Sequence, residues 1–191
     1  MKKITNNMIL AVVVVAVVAG VAYNVYYRHQ LAQQTTASND DMLPAGQVLA
    51  RQRPDFTLPD RIGLPHRSAE WDGKTVIVNF WATWCRPCRR ELPMLNEIQQ
   101  QYAGQDVQIV AIALDDRQAV EGFIKATGIK LDLQVLVGDD AAIEVAKAFG
   151  NETGLLPYTV IIDSRGDIRY NHFGEISEDE LTDQLGRLLA V

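Results

Sequence analysis

The chain has 191 residues, of which 48% are hydrophobic and 22% are charged, and its formal net charge is −6. The length suits one globular domain with appended segments, and the composition is ordinary for a globular protein. The acidic balance argues against a nucleic-acid partner, because nucleic-acid binding needs a basic face. The sequence contains two cysteines, so none remains for a separate structural bridge and the pair must work together.

The N-terminal sequence predicts a membrane anchor. Residues 1–7 carry Lys2 and Lys3, and residues 8–27 form an uncharged apolar run, close to the roughly 20 residues that span a bilayer. Positive charge before such a run keeps the N-terminus in the cytoplasm, so the rest of the chain crosses. We therefore expect a single-pass protein of the cytoplasmic (inner) membrane whose folded domain lies on the periplasmic side. The alternative is a cleaved signal peptide with small residues at Gly20–Ala22.

Residues 28–52 predict a flexible tether, because polar residues dominate their first half and leave little apolar surface to bury. A flexible segment of about 25 residues spans roughly 25–30 Å on average. The pattern becomes globular from Arg53 onward, which predicts one folded domain over residues 53–191. We therefore expect the tether to let the folded domain search the membrane surface around its anchor.

Strands and helices alternate along the globular part. The segments at 56–58 and 65–68 predict a short N-terminal β-hairpin. The main predicted elements, in chain order, are a buried strand at 75–81, a helix at 86–102, a strand at 106–114, a helix at 118–127, a strand at 133–137, a helix from Asp139 that Gly150 ends, a strand hairpin at 158–163 and 168–173, and a final helix that Ser177 and Glu180 cap. This order predicts an α/β domain with a mixed central β-sheet flanked by helices.

Cys85 and Cys88 follow the predicted buried strand and lie at the start of the next helix. Helix positions i and i+3 place their β-carbons about 5–6 Å apart, so a disulfide can close and open with little backbone motion. The helix N-terminus, together with Arg86, Arg89 and Arg90, favours the thiolate form of Cys85. These features predict thiol–disulfide exchange in which Cys85 attacks a substrate disulfide and Cys88 resolves the mixed disulfide.

Two other interpretations of the cysteine pair remain open. Half of a zinc site would need two further soft ligands, for which the chain offers His29, His66 and His172. A purely structural disulfide would close so short a loop that it would stabilise little. We expect no metal and no cofactor.

The segment from Val78 to Pro93, VNFWATWCRPCRRELP, resembles the active-site segment of the TlpA/ResA-like family. Members of this family are extracytoplasmic thiol–disulfide oxidoreductases of thioredoxin-like fold, and many are membrane-anchored. The resemblance covers the chain from Arg53 to its C-terminus. It implies a thioredoxin-like domain with an extra helix, Asp139 to Phe149, inserted before the strand that follows a cis-proline.

The resemblance also implies which residues bind the substrate. Pro157, in the segment GLLPYTV, matches the proline whose cis peptide bond faces the two sulfurs, and an ordinary trans turn is the alternative. Trp84 resembles the exposed tryptophan of this superfamily. Together with Pro87, which suits the first helical turn, and Leu156, these residues form the expected substrate-binding set.

Glu91 is the expected proton-exchange group. Thioredoxin has a buried aspartate in its central strand, whereas this chain has Asn79, which cannot titrate. Glu91 lies one helical turn after Cys88, and a glutamate at this position has a similar role in the resembled family. We therefore expect Glu91 to exchange protons with the cysteine pair. The alternative is a surface carboxylate paired with the neighbouring arginines.

The resemblance implies a reductase that acts on cysteine pairs of exported proteins, such as apocytochrome c or a copper-site assembly factor. Because the periplasm is oxidising, electrons would come from a transmembrane thiol carrier, and an exposed site facing that carrier favours a monomer. A disulfide-forming oxidase is one alternative, since thiolate stabilisation makes a cysteine pair oxidising, although position 87 is proline rather than the histidine of such oxidases. A metal-handling thiol module is another, but it would need Met or His beside the cysteines.

Overall fold

A computed structural model describes Tyr23 and residues 51–190. The predicted N-terminus at 1–7, the anchor at 8–27 except Tyr23, and the tether up to residue 50 lie outside the described residues. Among the described helices, none is both long enough and apolar enough to cross a membrane.

The described elements follow the predicted order closely. They are β1 (Arg51–Gln52), β2 (Thr57–Pro59), β3 (Pro65–Arg67), a 3-10 helix (Ser68–Trp71), β4 (Thr75–Trp81), α1 (Arg86–Gln101), β5 (Val107–Ala113), α2 (Arg117–Thr127), β6 (Gln134–Val137), α3 (Asp139–Ala148), β7 (Tyr158–Ile162), β8 (Asp167–Phe173) and α4 (Glu178–Leu189). Helix α3 lies between β6 and β7, which confirms the predicted inserted helix.

Within residues 51–190, six strands form a mixed sheet in the order β1-β8-β7-β4-β5-β6, and β2 and β3 form a separate antiparallel hairpin. Strands β4, β5 and β6 are parallel, whereas β7 is antiparallel to both β4 and β8. Strand β4 is buried along its whole length, as its continuous apolar run predicts for a central strand. The α/β class, the mixed sheet and the N-terminal hairpin are therefore confirmed.

Alternation along β4 divides the core between two faces of the sheet. Ile77 and Trp81 share a buried cluster with side chains of α1, α2 and α4. Val76, Val78 and Phe80 share a second cluster with α3 and the hairpin strand β2. Each face is thus covered, and the face that carries α1 also carries the cysteine pair.

The N-terminal boundary of the domain differs from the prediction. The sequence assigned residues up to 52 to the tether, but Arg51 and Gln52 form β1 and pair with Ile168 and Asp167 of β8. The next residue continues this edge, since the Arg53 N–H donates to the Gly166 carbonyl at 2.8 Å. A polar strand of two residues has no hydrophobic periodicity from which it could be predicted. Its position depends instead on pairing with β8, the neighbouring strand of the sheet.

The capping box predicted at the last helix forms only in part. The Ser177 hydroxyl accepts a hydrogen bond from the Glu180 backbone N–H at 3.2 Å, which confirms the N-cap. The Glu180 side chain does not complete the box, because its carboxylate accepts from the Tyr170 hydroxyl of β8. His172 Nδ1 lies 3.4 Å from the same carboxylate oxygen. A tertiary contact has therefore replaced the local one.

Candidate active site

The two cysteines lie where β4 gives way to α1. Cys85 is the N-cap of α1, and its sulfur accepts a hydrogen bond from the Cys88 backbone N–H at 3.3 Å. The two sulfurs are joined in a disulfide with the α-carbons 5.3 Å apart. Cys85 is 5% exposed and Cys88 is fully buried. Cys85 is thus slightly more exposed than Cys88, although both residues are buried, and this difference has the direction that the predicted order of attack requires.

Asp115 fixes the loop that precedes Cys85. It follows the carboxyl end of β5, and its carboxylate accepts a hydrogen bond from the Thr83 backbone N–H at 2.6 Å. The Cys85 backbone N–H in turn donates to the Ala82 carbonyl at 3.1 Å. Because β4 and β5 are parallel, both of their carboxyl ends contribute to the same site.

Glu91 is buried at 2% exposure, so its interpretation as a surface carboxylate is wrong. Its Oε1 accepts a hydrogen bond from Asn79 Nδ2 at 2.8 Å, and its Oε2 accepts from the Ile176 backbone N–H at 3.2 Å. Burial raises the pKa of Glu91 to about 7, although these two hydrogen bonds oppose the rise. A carboxyl group that titrates near neutral pH can both accept and return a proton there.

Asn79 links Glu91 to the strand that follows Pro157. Its Nδ2 also donates to Thr159 Oγ1 at 3.0 Å, and the two residues lie opposite each other in the β4–β7 register. Its Oδ1 is buried without a hydrogen-bond partner among the described residues. Sequence reasoning missed Thr159. The available signal was its position two residues after Pro157, on a strand that must pair beside β4.

The predicted substrate-binding residues gather at one edge of the sheet. The Leu156–Pro157 peptide bond is cis, so the trans-turn alternative is wrong. Because Tyr158 pairs with Phe80 near the end of β4, Pro157 lies at the same edge as the loop before Cys85.

Two exposed apolar side chains adjoin the cysteines and the proline. Trp84 is 68% exposed and Leu155 is 60% exposed, whereas Leu156 packs partly into the core. Pro87 is half-buried in the first turn of α1. Exposed aromatic surface beside a reactive group is typical of a docking site.

The three neighbouring arginines have different surroundings. Arg90 forms an ion pair with Glu175, so its charge is largely compensated. The Arg89 guanidinium lies 5.4 Å from the centre of the Phe123 ring. Arg86 is exposed and has no ion pair within residues 51–190. The sequence analysis counted Arg90 among the charges that favour the Cys85 thiolate, and the ion pair with Glu175 offsets part of that charge.

The histidines within residues 51–190 have carboxylate partners. His66 Nδ1 lies 2.7 Å from the Glu70 carboxylate, and His172 Nδ1 lies 3.4 Å from that of Glu180. In this part of the chain, no group of three or more His, Cys, Asp or Glu side chains could hold a metal ion.

The family comparison agrees with this geometry. The model of the AhpC/TSA family matches residues 49–171, a range that includes both cysteines, Glu91 and Pro157. The thiol-disulfide oxidoreductase ResA of Geobacillus thermodenitrificans is 29% identical over 186 residues, 97% of each chain. The thioredoxin-like protein YneN of Bacillus subtilis is 31% identical over 137 residues, which are 71% of this chain and 77% of that protein.

Solved structures confirm the thioredoxin-like fold. A thiol:disulfide interchange protein of the thioredoxin family from Chlorobium tepidum superposes with a TM-score of 0.63 at 29% identity, over 75% of this chain and 99% of that chain. A thiol-disulfide oxidoreductase from Bacteroides fragilis gives a TM-score of 0.61 at 28% identity, over 72% and 99%. The chain therefore belongs to the AhpC/TSA family and is a thiol–disulfide oxidoreductase similar to ResA.

Proposed function

We propose that this oxidoreductase is a membrane-anchored reductase that opens disulfides in exported proteins. One observation carries the exchange chemistry of the proposal: Cys85 of the Cys-x-Pro-Cys pair caps a helix whose next turn holds a buried carboxyl group with a pKa of about 7. Similarity to the thiol-disulfide oxidoreductase ResA supports the activity, and the apolar N-terminal run supports the location. Substrates of this class include an apocytochrome c or a copper-site assembly factor.

The cycle begins with the reduced enzyme. The Cys85 thiolate attacks one sulfur of the substrate disulfide, that bond breaks, the second substrate sulfur leaves as a thiolate, and a mixed disulfide forms. The Cys88 thiolate then attacks the Cys85 sulfur, which releases the first substrate sulfur and forms the Cys85–Cys88 disulfide. Two electrons pass from the enzyme to the substrate. A transmembrane thiol carrier must then return two electrons to the enzyme.

Glu91 handles the proton in this cycle. Cys88 must lose its proton before it attacks, and it lies in a buried position where water has little access. Glu91 follows it by three residues on the same helix, so both side chains project from one face of α1. With a pKa of about 7, Glu91 accepts the thiol proton during resolution and returns a proton when the pair is reduced again.

The redox state of the pair inside cells tests the direction of electron flow. A reductase fed by a carrier is held mainly as the dithiol, whereas an oxidase accumulates as the disulfide. Alkylation of thiols in intact cells with a membrane-impermeant reagent reads the redox state and the location together. Mostly reduced cysteines that react with this reagent support the proposal; mostly oxidised cysteines contradict the reductase, and thiols protected from the reagent contradict the extracytoplasmic location.

Single cysteine variants test the order of attack. Cys88→Ser should accumulate mixed disulfides with substrate proteins, because the resolving sulfur is missing. Cys85→Ser is the matched control and should accumulate few, since Cys88 is fully buried. Equal trapping by the two variants would contradict the assigned roles.

A further inference from the structure

An open groove of about 690 Å³ runs between α1 and α2 beside the cysteine pair. We call it the arginine groove. Its walls include Arg86, Arg89, Arg90 and Pro93 of α1 and Phe123 and Thr127 of α2. Its volume lies within the roughly 300–1,000 Å³ of pockets that hold ligands. Arg86 directly follows Cys85 in the chain, so the lining of the groove begins one residue after the first cysteine of the pair.

The charge of the groove is opposite to that of the whole chain. The chain has a net charge of −6, yet among the described residues three arginines and no acidic side chain line the groove. Glu175 compensates Arg90, but Arg86 and Arg89 have no carboxylate within ion-pair distance among residues 51–190. The guanidinium groups of Arg86 and Arg89 in the groove therefore remain available to an outside anion.

The arginine groove is partly organised before any partner binds. The Arg89 guanidinium rests over the half-buried Phe123 ring, and the ion pair with Glu175 holds Arg90. Side chains already held in place lose less conformational freedom on binding. Arginine also matches a carboxylate with two parallel hydrogen bonds, which a lysine cannot do.

We propose that the arginine groove binds an acidic stretch of the substrate polypeptide, a few residues from the cysteine that Cys85 attacks. This inference rests on the proposed function, because it assigns a substrate class to the same site. A polypeptide joined to Cys85 must leave the sulfur along the neighbouring surface, and Arg86, the next residue of the chain, is part of the groove wall on the α1 side. An acidic partner would be repelled by the rest of an acidic chain, so attraction confined to the groove also sets the orientation of docking.

Binding of unreactive peptides tests the proposal independently of electron flow. Three peptides each carry Ser in place of the reactive Cys, and they differ only in the three residues beside it, which are all Glu, all Gln or all Lys. Calorimetry measures the binding of each peptide to the full chain in its oxidised form. We expect the Glu peptide to bind about tenfold more tightly than the Gln peptide, since each exposed ion pair contributes about threefold. The Lys peptide should bind most weakly, and added salt should reduce the preference.

Variants identify the groove as the source of the preference. Arg89→Gln should lower the preference for the Glu peptide over the Gln peptide by about threefold. Thr127→Glu adds a negative charge on the opposite wall of the groove and should lower the same preference. Arg187→Gln is the matched control, because Arg187 is an exposed arginine of α4 paired with Asp183 outside the groove. This control should leave the preference unchanged.

Three results would overturn the proposal: equal binding of the Glu and Gln peptides, a preference that both groove variants leave intact, or an equal loss in Arg187→Gln. Vesicles of anionic phospholipid test the competing occupant. If the chain binds the vesicles, Arg89→Gln weakens that binding and the chain shows no preference among the peptides, then the groove binds a membrane surface instead. Disulfide-linked versions of the Gln peptide test the proposed function separately, since their reduction does not require the groove.

Discussion

The side-chain amide of Asn79 donates a hydrogen bond of 2.8 Å to the carboxylate of Glu91, between the central strand and the helix that carries both cysteines. The same amide nitrogen donates to Thr159, on the strand that follows Pro157. One uncharged residue therefore connects Glu91, the proposed proton-exchange group, with the proline segment. Thioredoxin has a carboxylate at this strand position, whereas here the titrating group comes from the helix.

Replacing Glu91 with Gln should slow thiol–disulfide exchange by about a hundredfold near neutral pH, because general acid–base catalysis contributes at least about that much. The wild-type rate should change with pH around 7, the pKa of Glu91, and the variant should lose this step. Stopped-flow exchange rates between pH 5 and 9 measure both effects. Glu97→Gln, an exposed glutamate of the same helix, is the matched control. A profile unchanged by Glu91→Gln would refute the proton-exchange role.

The raised pKa of Glu91 also predicts how stability depends on pH. Between the ordinary value of 4.5 and about 7, the folded chain binds more protons at Glu91 than the unfolded chain does. Glu91 therefore favours folding most at low pH, and this contribution falls as the pH rises, by about 3 kcal/mol in total. Urea unfolding of the disulfide form measures the effect. As the pH rises from 5 to 8, the free energy of unfolding of Glu91→Gln should increase relative to that of wild type, because only wild type loses the Glu91 contribution. A difference independent of pH would contradict the raised pKa.

Replacing Asn79 with Leu should move the pH step to higher pH, because the Asn79 hydrogen bond lowers the pKa of Glu91. The loss of a donor to a buried carboxylate should also cost about 1–3 kcal/mol of stability. Exchange rates against pH and urea unfolding measure the two effects. Thr159→Val removes the second acceptor of the amide but keeps the donor to Glu91. It should therefore move the step less than Asn79→Leu does, and the reverse order would contradict the assigned network.

Replacing Trp84 with Ala should lower kcat/KM for a protein substrate by about tenfold, since an exposed aromatic side chain at an interface contributes about 1–2 kcal/mol. Its stability should barely change, because Trp84 is 68% exposed. Trp81→Ala gives the opposite pattern, with about 3–5 kcal/mol of stability lost from the core. Leu189→Ala, at an exposed apolar position on α4, controls for general surface effects. Equal kcat/KM in Trp84→Ala and wild type would remove Trp84 from the docking surface.

Local patterns predicted most of the fold. The apolar run of β4, the cysteine pair at the start of α1 and the Ser177 cap each depend on neighbouring residues, so the sequence displays them directly. Glu91 required a family resemblance, because an isolated carboxylate in a helix gives no sign that it will be buried.

Contacts between distant residues could not be predicted in the same way. The Asn79–Thr159 hydrogen bond joins residues 80 positions apart, and the Arg90–Glu175 pair joins residues 85 apart. Both depend on which strands and loops become neighbours, which no local pattern encodes. The arginine groove has the same origin, because α1 supplies the charges whereas α2 supplies the opposite wall.

The reduction potential of the Cys85–Cys88 couple tests the central claim most directly. The full-length chain is equilibrated with glutathione or dithiothreitol buffers, and the oxidised fraction is measured by thiol alkylation or by Trp84 fluorescence. A reductase fed by a thiol carrier predicts a potential near or below about −220 mV, toward that of thioredoxin. A potential near about −120 mV would contradict this account, because such a pair forms disulfides in its partners.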